Sequence, residues 1–310
     1  MKKLLLPVIF LFLVSCAPDE SIKENEILWD TWGVPHIYAK DQSSLYKMMA
    51  WSQMRNHANL ILQLYGEARA RSSEYWGEDP QRDQLLHKLG LKDAAEKIFD
   101  QLNQPDMDIV ESFAEGINAF AEKYPEQIDE KYRLVLPVKP IDVIYHSTRV
   151  LYLEFLISGN LRTVNQWTPG SNAWAINGSK NASGNAMLLA NPHLLWDGFY
   201  RFFEAHLITD ANSLYGVTLI GLPTLGIAFN ENLGWTHTVN TLDNVDLYEI
   251  STDKDEYLID GEYKKFEVDT VTIIVRNDTT YSPHEIIKKR SDFGMIIRES
   301  DNKAIAIHWS

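Results

Sequence analysis

Thr168-Pro169-Gly170-Ser171-Asn172-Ala173-Trp174-Ala175-Ile176 marks the point at which this chain changes texture. Upstream, the apolar residues Ile109-Val110, Phe113-Ala114, Ile117 and Phe120-Ala121 recur at intervals of three and four, one face of a helix. Pro105, Asp106 and Asp108 suit the start of that helix, where a missing N–H costs nothing and carboxylates meet the positive end of the dipole. Leu45 to Tyr65 and Ile141 to Leu156 also read as helices, the latter entered after Pro140. Downstream, the runs Ala186–Ala190, Phe202–Thr209, Leu214–Ile220 and Thr270–Val275 alternate with Asn, Gly, Asp and Pro turns, the pattern of strands. Helices first and strands later predict an α+β fold in which helices cover sheet layers. No internal repeat interrupts this order.

The junction itself carries a possible chemistry. A serine hydroxyl is a poor nucleophile until a base takes its proton. Were the chain cut before Ser171, the freed α-amine, with a pKa of about 8, would lie next to its own hydroxyl. One residue would then be both nucleophile and base, directly or through a water. Gly170 has no Cβ to keep the Ser171 hydroxyl from its carbonyl, and it tolerates a strained backbone that favours an N-to-O acyl shift. Taken alone, Gly-Ser-Asn is also an ordinary turn tripeptide.

Composition narrows the function classes. The 310 residues are 45% apolar, 11% aromatic and 23% charged, enough for one large or two ordinary packed domains. Acidic residues outnumber basic ones 43 to 29, for a net charge of −14, so no basic stripe is available for nucleic acid. Lys2 and Lys3 precede an apolar run, Leu4 to Val14, of signal-peptide length and too short to span a bilayer. That run ends in Leu13-Val14-Ser15-Cys16, which resembles a bacterial lipobox. The resemblance implies lipidation of Cys16, removal of residues 1–15 before it, and an exported lipoprotein anchored facing the periplasm or cell exterior. A lipid anchor would be its sole tie to the membrane. Cys16 is the one cysteine, so the mature chain would hold no disulfide and no thiolate metal site.

Several familiar patterns fail in context. Ser44-Leu45-Tyr46-Lys47 and Ser300-Asp301-Asn302 echo serine β-lactamases, but Lys-Thr-Gly is absent and the two lie far apart. Asp292-Phe293-Gly294 spells a kinase triplet without the catalytic loop that should precede it. The nine histidines show no zinc-ligand spacing.

Gly170 to Trp196 (GSNAWAINGSKNASGNAMLLANPHLLW) resembles the start of the β-chain in the penicillin acylase family of N-terminal-nucleophile hydrolases. Trp32-Gly33-Val34-Pro35-His36-Ile37-Tyr38-Ala39 resembles that family's α-chain opening. Gly66-Glu67-Ala68-Arg69-Ala70-Arg71 with Tyr75-Trp76-Gly77 is most similar to its acyl-homoserine-lactone and aculeacin-type (lipopeptide) acylase branch. Leu222-Pro223, Asn230 to Asp246 and Ala304 to Trp309 continue the likeness over nearly all of the mature chain. The resemblance implies an αββα sandwich, incomplete on the C-terminal side. Residues 17–26 form a tether, 27–170 a mostly helical α-chain region with a short spacer, and 171–310 the front of the β-chain. The family continues well past Ser310, so a second oxyanion donor and much of the acyl pocket are expected outside these residues. An open sheet edge and an unfinished core should accompany that.

The same resemblance assigns roles. Ser171 would be the nucleophile for autoproteolysis at Gly170–Ser171 and for turnover, and His193 would orient the new amine or its water. On the residues alone, His193 is equally a polar residue capping a turn after Asn191-Pro192. Val239 would give its backbone N–H to the oxyanion hole, although without the family it is simply a strand residue. Asp243, Val245 and Asp246, with Glu154 as a fourth ligand, match a calcium site whose hard oxygens suit Ca²⁺. An acidic turn between strands explains the same residues. The implied activity is an amidohydrolase acting, through an acyl-enzyme on Ser171, on an N-acylated small molecule such as an acyl-homoserine lactone or acylated peptide. Its two chains would come from one precursor. A β-lactam acylase and an inactive lipoprotein remnant are the rival expectations.

Overall fold

The computed structural model describes residues 21–156, 170–238 and 244–309. The chain opens with β1 (Glu26–Trp29) and β2 (Pro35–Tyr38), an antiparallel ribbon ahead of the helices. The long helix α1 (Gln42–Ala68) follows, its first turn capped by Asp41, whose carboxylate accepts the Ser44 N–H at 2.7 Å. Four helices come next: α2 (Ser72–Trp76), α3 (Pro80–Lys88), α4 (Leu91–Asp100) and α5 (Gln104–Lys123). The expected start of α5 is present, with Asn103 accepting the Asp106 N–H and Pro105 in the first turn. Short α6 (Glu130–Arg133) and α7 (Pro140–Thr148) complete the helical half. The predicted helix over 141–156 is in two parts: α7 gives way to a π-helix, Arg149–Leu156.

Strands β3 (Gly170–Ile176) and β4 (Met187–His193) form a two-stranded antiparallel ladder. β5 (Phe202–Ile208), β6 (Ser213–Leu219), β7 (Ile227–Phe229) and β8 (Gly234–Trp235) join the opening ribbon in a six-stranded sheet of order β1-β2-β5-β6-β7-β8. β2 lies parallel to β5, so residues 170 apart in sequence become neighbours. A second, seven-stranded sheet holds β9 (Val245–Asp253), β10 (Glu256–Ile259), β11 (Glu262–Lys265), β12 (Glu267–Asn277), β13 (Thr280–Ser291), β14 (Gly294–Ser300) and β15 (Lys303–Trp309). The α+β class expected from the order of elements is the class observed. Before α1, however, the chain already supplies two strands to a sheet built mostly from the second half.

Burial explains the layering. Ile37, Phe203, Ala205 and Leu207 alternate along β2 and β5 and share one core with Met54, Ile61, Leu62, Phe113, Ile117 and Phe120 from α1 and α5. Helix α1 lies on the six-stranded sheet against β2 and β5, and α5 and α7 pack on α1 to complete that core. α1 and α5 cross so closely that a Cβ on Gly116 would sit 2.1 Å from the Lys47 carbonyl oxygen, which only glycine avoids. A second cluster joins Leu86 of α3, Leu89 just after it and Leu91 of α4 to Val245, Met295 and Ile307 of the larger sheet. Tyr152 and Leu153 of the π-helix pack on the same cluster, and the Tyr152 ring meets Trp309 edge-on at 5.0 Å. No helix among the described residues is long and apolar enough to cross a membrane.

Candidate active site

Antiparallel pairing of β3 with β4 sets Gly170 opposite His193, Ser171 opposite Pro192 and Asn172 opposite Asn191. His193 is thus the last residue of a strand, rather than a turn cap after Asn191-Pro192. The Ser171 hydroxyl donates to the Gly170 carbonyl oxygen at 2.7 Å, which holds Oγ beside the carbonyl of the bond expected to break. A Cβ built on Gly170 would lie 3.5 Å from His193 Nδ1, so the imidazole stands over the same peptide. Ser171 is half-buried and His193 exposed. One ladder end therefore gathers a hydroxyl, the carbonyl it would attack and an imidazole able to carry a proton.

The rest of the hairpin is apolar and open. Trp174 is 54% exposed and Met187 54%, with Leu188 and Leu189 similarly placed. Leu188 reaches to 3.0 Å from a Cβ position on Gly234 of β8, so β4 leans on the far edge of the six-stranded sheet. Between them lies an open cavity of about 1000 Å³ lined by Ile176, Met187, Leu188, Val217, Ile227 and Phe229. Its walls suit an apolar group, although Ser171 is not among the lining residues.

Other predicted residues are placed as follows. Cys16 and Val239 lie outside the described residues, as does Asp243. β8 ends at Trp235, and residues 236–238 are not in a strand, so the extended run expected up to Val239 is shorter among the described residues. Val245 and Asp246 open β9, the first buried and the second exposed, while Glu154 sits on the π-helix. Tyr152 and Leu153 of that helix pack on the apolar cluster that also holds Val245. Among the described residues no three His, Cys, Asp or Glu side chains gather as a metal cage.

The Gly66–Gly77 stretch proves to be scaffolding. Arg69 clamps Asp142 with two hydrogen bonds, Nε to Oδ1 at 2.8 Å and Nη2 to Oδ2 at 2.6 Å, and reaches the Tyr75 hydroxyl and the Val135 carbonyl. Glu67 pairs with Arg149 at the start of the π-helix. Asp83 accepts from the backbone N–H and hydroxyl groups of both Ser72 and Ser73. Sequence reading missed Asp142 and Asp83, because a lone carboxylate inside a helix carries no signal of the partner it meets in space. Leu222 forms part of a turn tied to α1, where Gln53 donates to the Leu222 carbonyl and accepts the Gly221 N–H.

The family model described as penicillin amidase matches residues 24–310. Acyl-homoserine lactone acylase PvdQ of Pseudomonas putida is 28% identical over 338 aligned residues, covering 92% of this chain and 42% of that protein. PvdQ of Pseudomonas fluorescens is 29% identical over 317 residues, 88% of this chain and 41% of the relative. Aculeacin-A acylase of Actinoplanes utahensis is 31% identical over 136 residues, 40% of this chain and 17% of the relative. Among solved structures, a thermostable penicillin G acylase from Alcaligenes faecalis aligns with a TM-score of 0.40 and 17% identity, over 44% of this chain and 25% of that one. The chain spans about two-fifths of the length of the PvdQ relatives it matches.

Proposed function

The chain belongs to the penicillin amidase family, and on that premise we propose that it is part of an amidohydrolase whose nucleophile, Ser171, is freed by cleavage of its own Gly170–Ser171 bond. The observation that carries this reading is the Ser171 hydroxyl held 2.7 Å from the Gly170 carbonyl oxygen beneath His193. Oγ attacks the Gly170 carbonyl carbon, its proton passes to the Ser171 nitrogen, and the C–N bond breaks to leave an ester. Water then hydrolyses that ester, releasing the Gly170 carboxylate and restoring Oγ beside a free α-amine. In turnover the amine takes the hydroxyl proton as Oγ attacks a substrate amide, and hands it to the leaving amine. Water finally releases the carboxylic acid from the acyl-enzyme. His193 orients the amine or its water, and the Val239 N–H supports the oxyanion.

The substrate is an N-acylated small molecule with an apolar acyl group, of the acyl-homoserine lactone or acylated peptide class. The PvdQ and aculeacin-A acylase relatives support that class, and the apolar cavity beside the hairpin fits such an acyl chain. Ca²⁺ held by Glu154, Asp243, the Val245 carbonyl and Asp246 belongs to the same proposal. Three carboxylates and a carbonyl match its preference for hard oxygens, and the π-helix that carries Glu154 packs on the apolar cluster to which Val245 belongs. Such an ion would fix the two halves together. Export and anchoring through Cys16 complete the proposal.

N-terminal sequencing and intact mass of the purified gene product provide the test. The expected result is a new terminus at Ser171, absent in Ser171→Ala, with long-chain acyl-homoserine lactones hydrolysed faster than penicillin G. An uncut product, or a Ser171→Ala chain that is still cut, overturns it. Faster hydrolysis of penicillin G would turn the assignment to a β-lactam acylase.

A further inference from the structure

The face of the six-stranded sheet turned away from the helices carries two facing histidines. Because Ile37, Ala205 and Leu207 point into the helical core, alternation along β2 and β5 sends His36 and His206 to the opposite face. The parallel register sets these two residues side by side. Their Nδ1 atoms are 2.9 Å apart and the rings meet edge-on, 72° between planes with centroids at 5.1 Å. The remaining nitrogens turn outward to oxygen atoms. His206 Nε2 lies 2.8 Å from Ser213 Oγ, and His36 Nε2 lies 3.9 Å from Asp30 Oδ2. Asp30 is itself fixed, accepting the Trp32 and Val34 N–H groups at 2.8 Å each.

We infer that His36 and His206 form a two-histidine chelate for a divalent ion of the Zn²⁺, Ni²⁺ or Cu²⁺ kind. Metal–imidazole bonds of about 2.0–2.1 Å separated by 90° to 109° place their two nitrogens about 2.9–3.3 Å apart, and the observed spacing lies at that lower bound. An imidazole ligand is ordinarily held by an oxygen partner on its other nitrogen, which fixes ring orientation and tautomer. Ser213 stands in that place for His206, while Asp30, at 3.9 Å from His36, is a nearby charge and not a hydrogen-bond partner. Without metal, one proton bridges the two Nδ1 atoms. The ion replaces it, and the displaced proton moves to His206 Nε2, where Ser213 Oγ accepts it.

Imidazole pairs favour borderline transition metals over Ca²⁺ and Mg²⁺. This site is therefore separate from the acidic calcium set in ligand type and in place. Glu204 is engaged by the Tyr215 hydroxyl at 2.7 Å, and the Tyr215 ring packs on His206. Among the described residues no third His, Cys, Asp or Glu joins the pair. Water fills the other positions, and the bound ion exchanges readily.

The test is equilibrium dialysis of the whole chain, free of any polyhistidine tag, against ZnCl2 at pH 7.5 with MgCl2 as the hard-ion control. About one Zn²⁺ per chain is expected, with affinity lowered at least tenfold in His36→Ala and in His206→Ala. Ser213 is exposed, so Ser213→Ala keeps both ligands and the fold, yet should weaken binding about tenfold by releasing the His206 ring. Wild-type protein that takes up no Zn²⁺ overturns the inference. So does Zn²⁺ binding that all three variants retain.

Discussion

Gly170 and His193 are paired residues at one end of the β3–β4 ladder. The carbonyl that touches the Ser171 hydroxyl therefore belongs to the residue facing the imidazole. A strand end is rigid enough to fix that relation yet open enough for the chain to part there. On the proposed function, the same pairing would let His193 position the amine that cleavage releases.

Replacing His193 should consequently separate chemistry from binding. His193→Ala is expected to lower kcat of the processed enzyme by about 10²-fold or more with little change in KM, within the range of positioned acid–base groups. It should also alter the pH–rate profile. His193→Gln, which keeps a hydrogen-bonding side chain, should recover part of the rate. Steady-state kinetics across pH check this, and an unchanged profile in His193→Ala would remove His193 from the site.

Asp142 is 2% exposed and holds both the Arg69 guanidinium and, through Oδ2, the Lys139 N–H at 2.6 Å. Asp142→Ala leaves a buried guanidinium without its counter-charge, a change that typically costs about 3–5 kcal/mol. Urea unfolding should show a loss of that order. Asp142→Asn keeps the acceptor for Lys139 and should lose less. Equal losses in the two variants would mean that the charge of Asp142 matters little.

Acid sensitivity follows from His146, fully buried with Nε2 at 2.9 Å from the Ile220 carbonyl. Burial chiefly, and Arg149 next, push its pKa down to about 3. Below about pH 6.5 the unfolded chain binds a proton that the folded chain refuses, so stability falls as pH drops from there toward about 3. The slope for one such group is about 1.4 kcal/mol per pH unit. His87, lowered to about 4 by burial, then by Lys92 and Lys288, acts in the same direction. Unfolding free energies between pH 7.5 and 5 should fall with acid in wild type and less steeply in His146→Gln. A flat wild-type profile would contradict this assignment.

Calcium, where it binds the folded chain alone, stabilises by mass action, about 2.7 kcal/mol at a hundredfold excess over Kd. Chelation with EGTA should lower the unfolding midpoint of wild type and leave Asp246→Ala unmoved. Wild type indifferent to both EGTA and added Ca²⁺ would rule out the proposed ligand set.

Local pattern was enough to read the longest helices, several strands and the candidate peptide at Gly170-Ser171. The three-and-four spacing from Ile109 to Ala121 gave α5, and the β-branched runs after Gly170 gave β5, β6 and β12, because periodicity reports which side of a local element meets the core. The Gly170-Ser171 proposal could be made from sequence because the proposed nucleophile and the proposed scissile bond are sequence neighbours. Tertiary structure alone decided the rest. It set His193 opposite Gly170, Asp142 against Arg69 and His36 beside His206. It also divided the predicted 141–156 helix into α7 and a π-helix that packs on the cluster around Leu86 and Val245. These relations join residues 23 to 170 positions apart. Strand register and helix crossings fix them, and no local pattern of side chains encodes which distant partner a strand or a charge will meet.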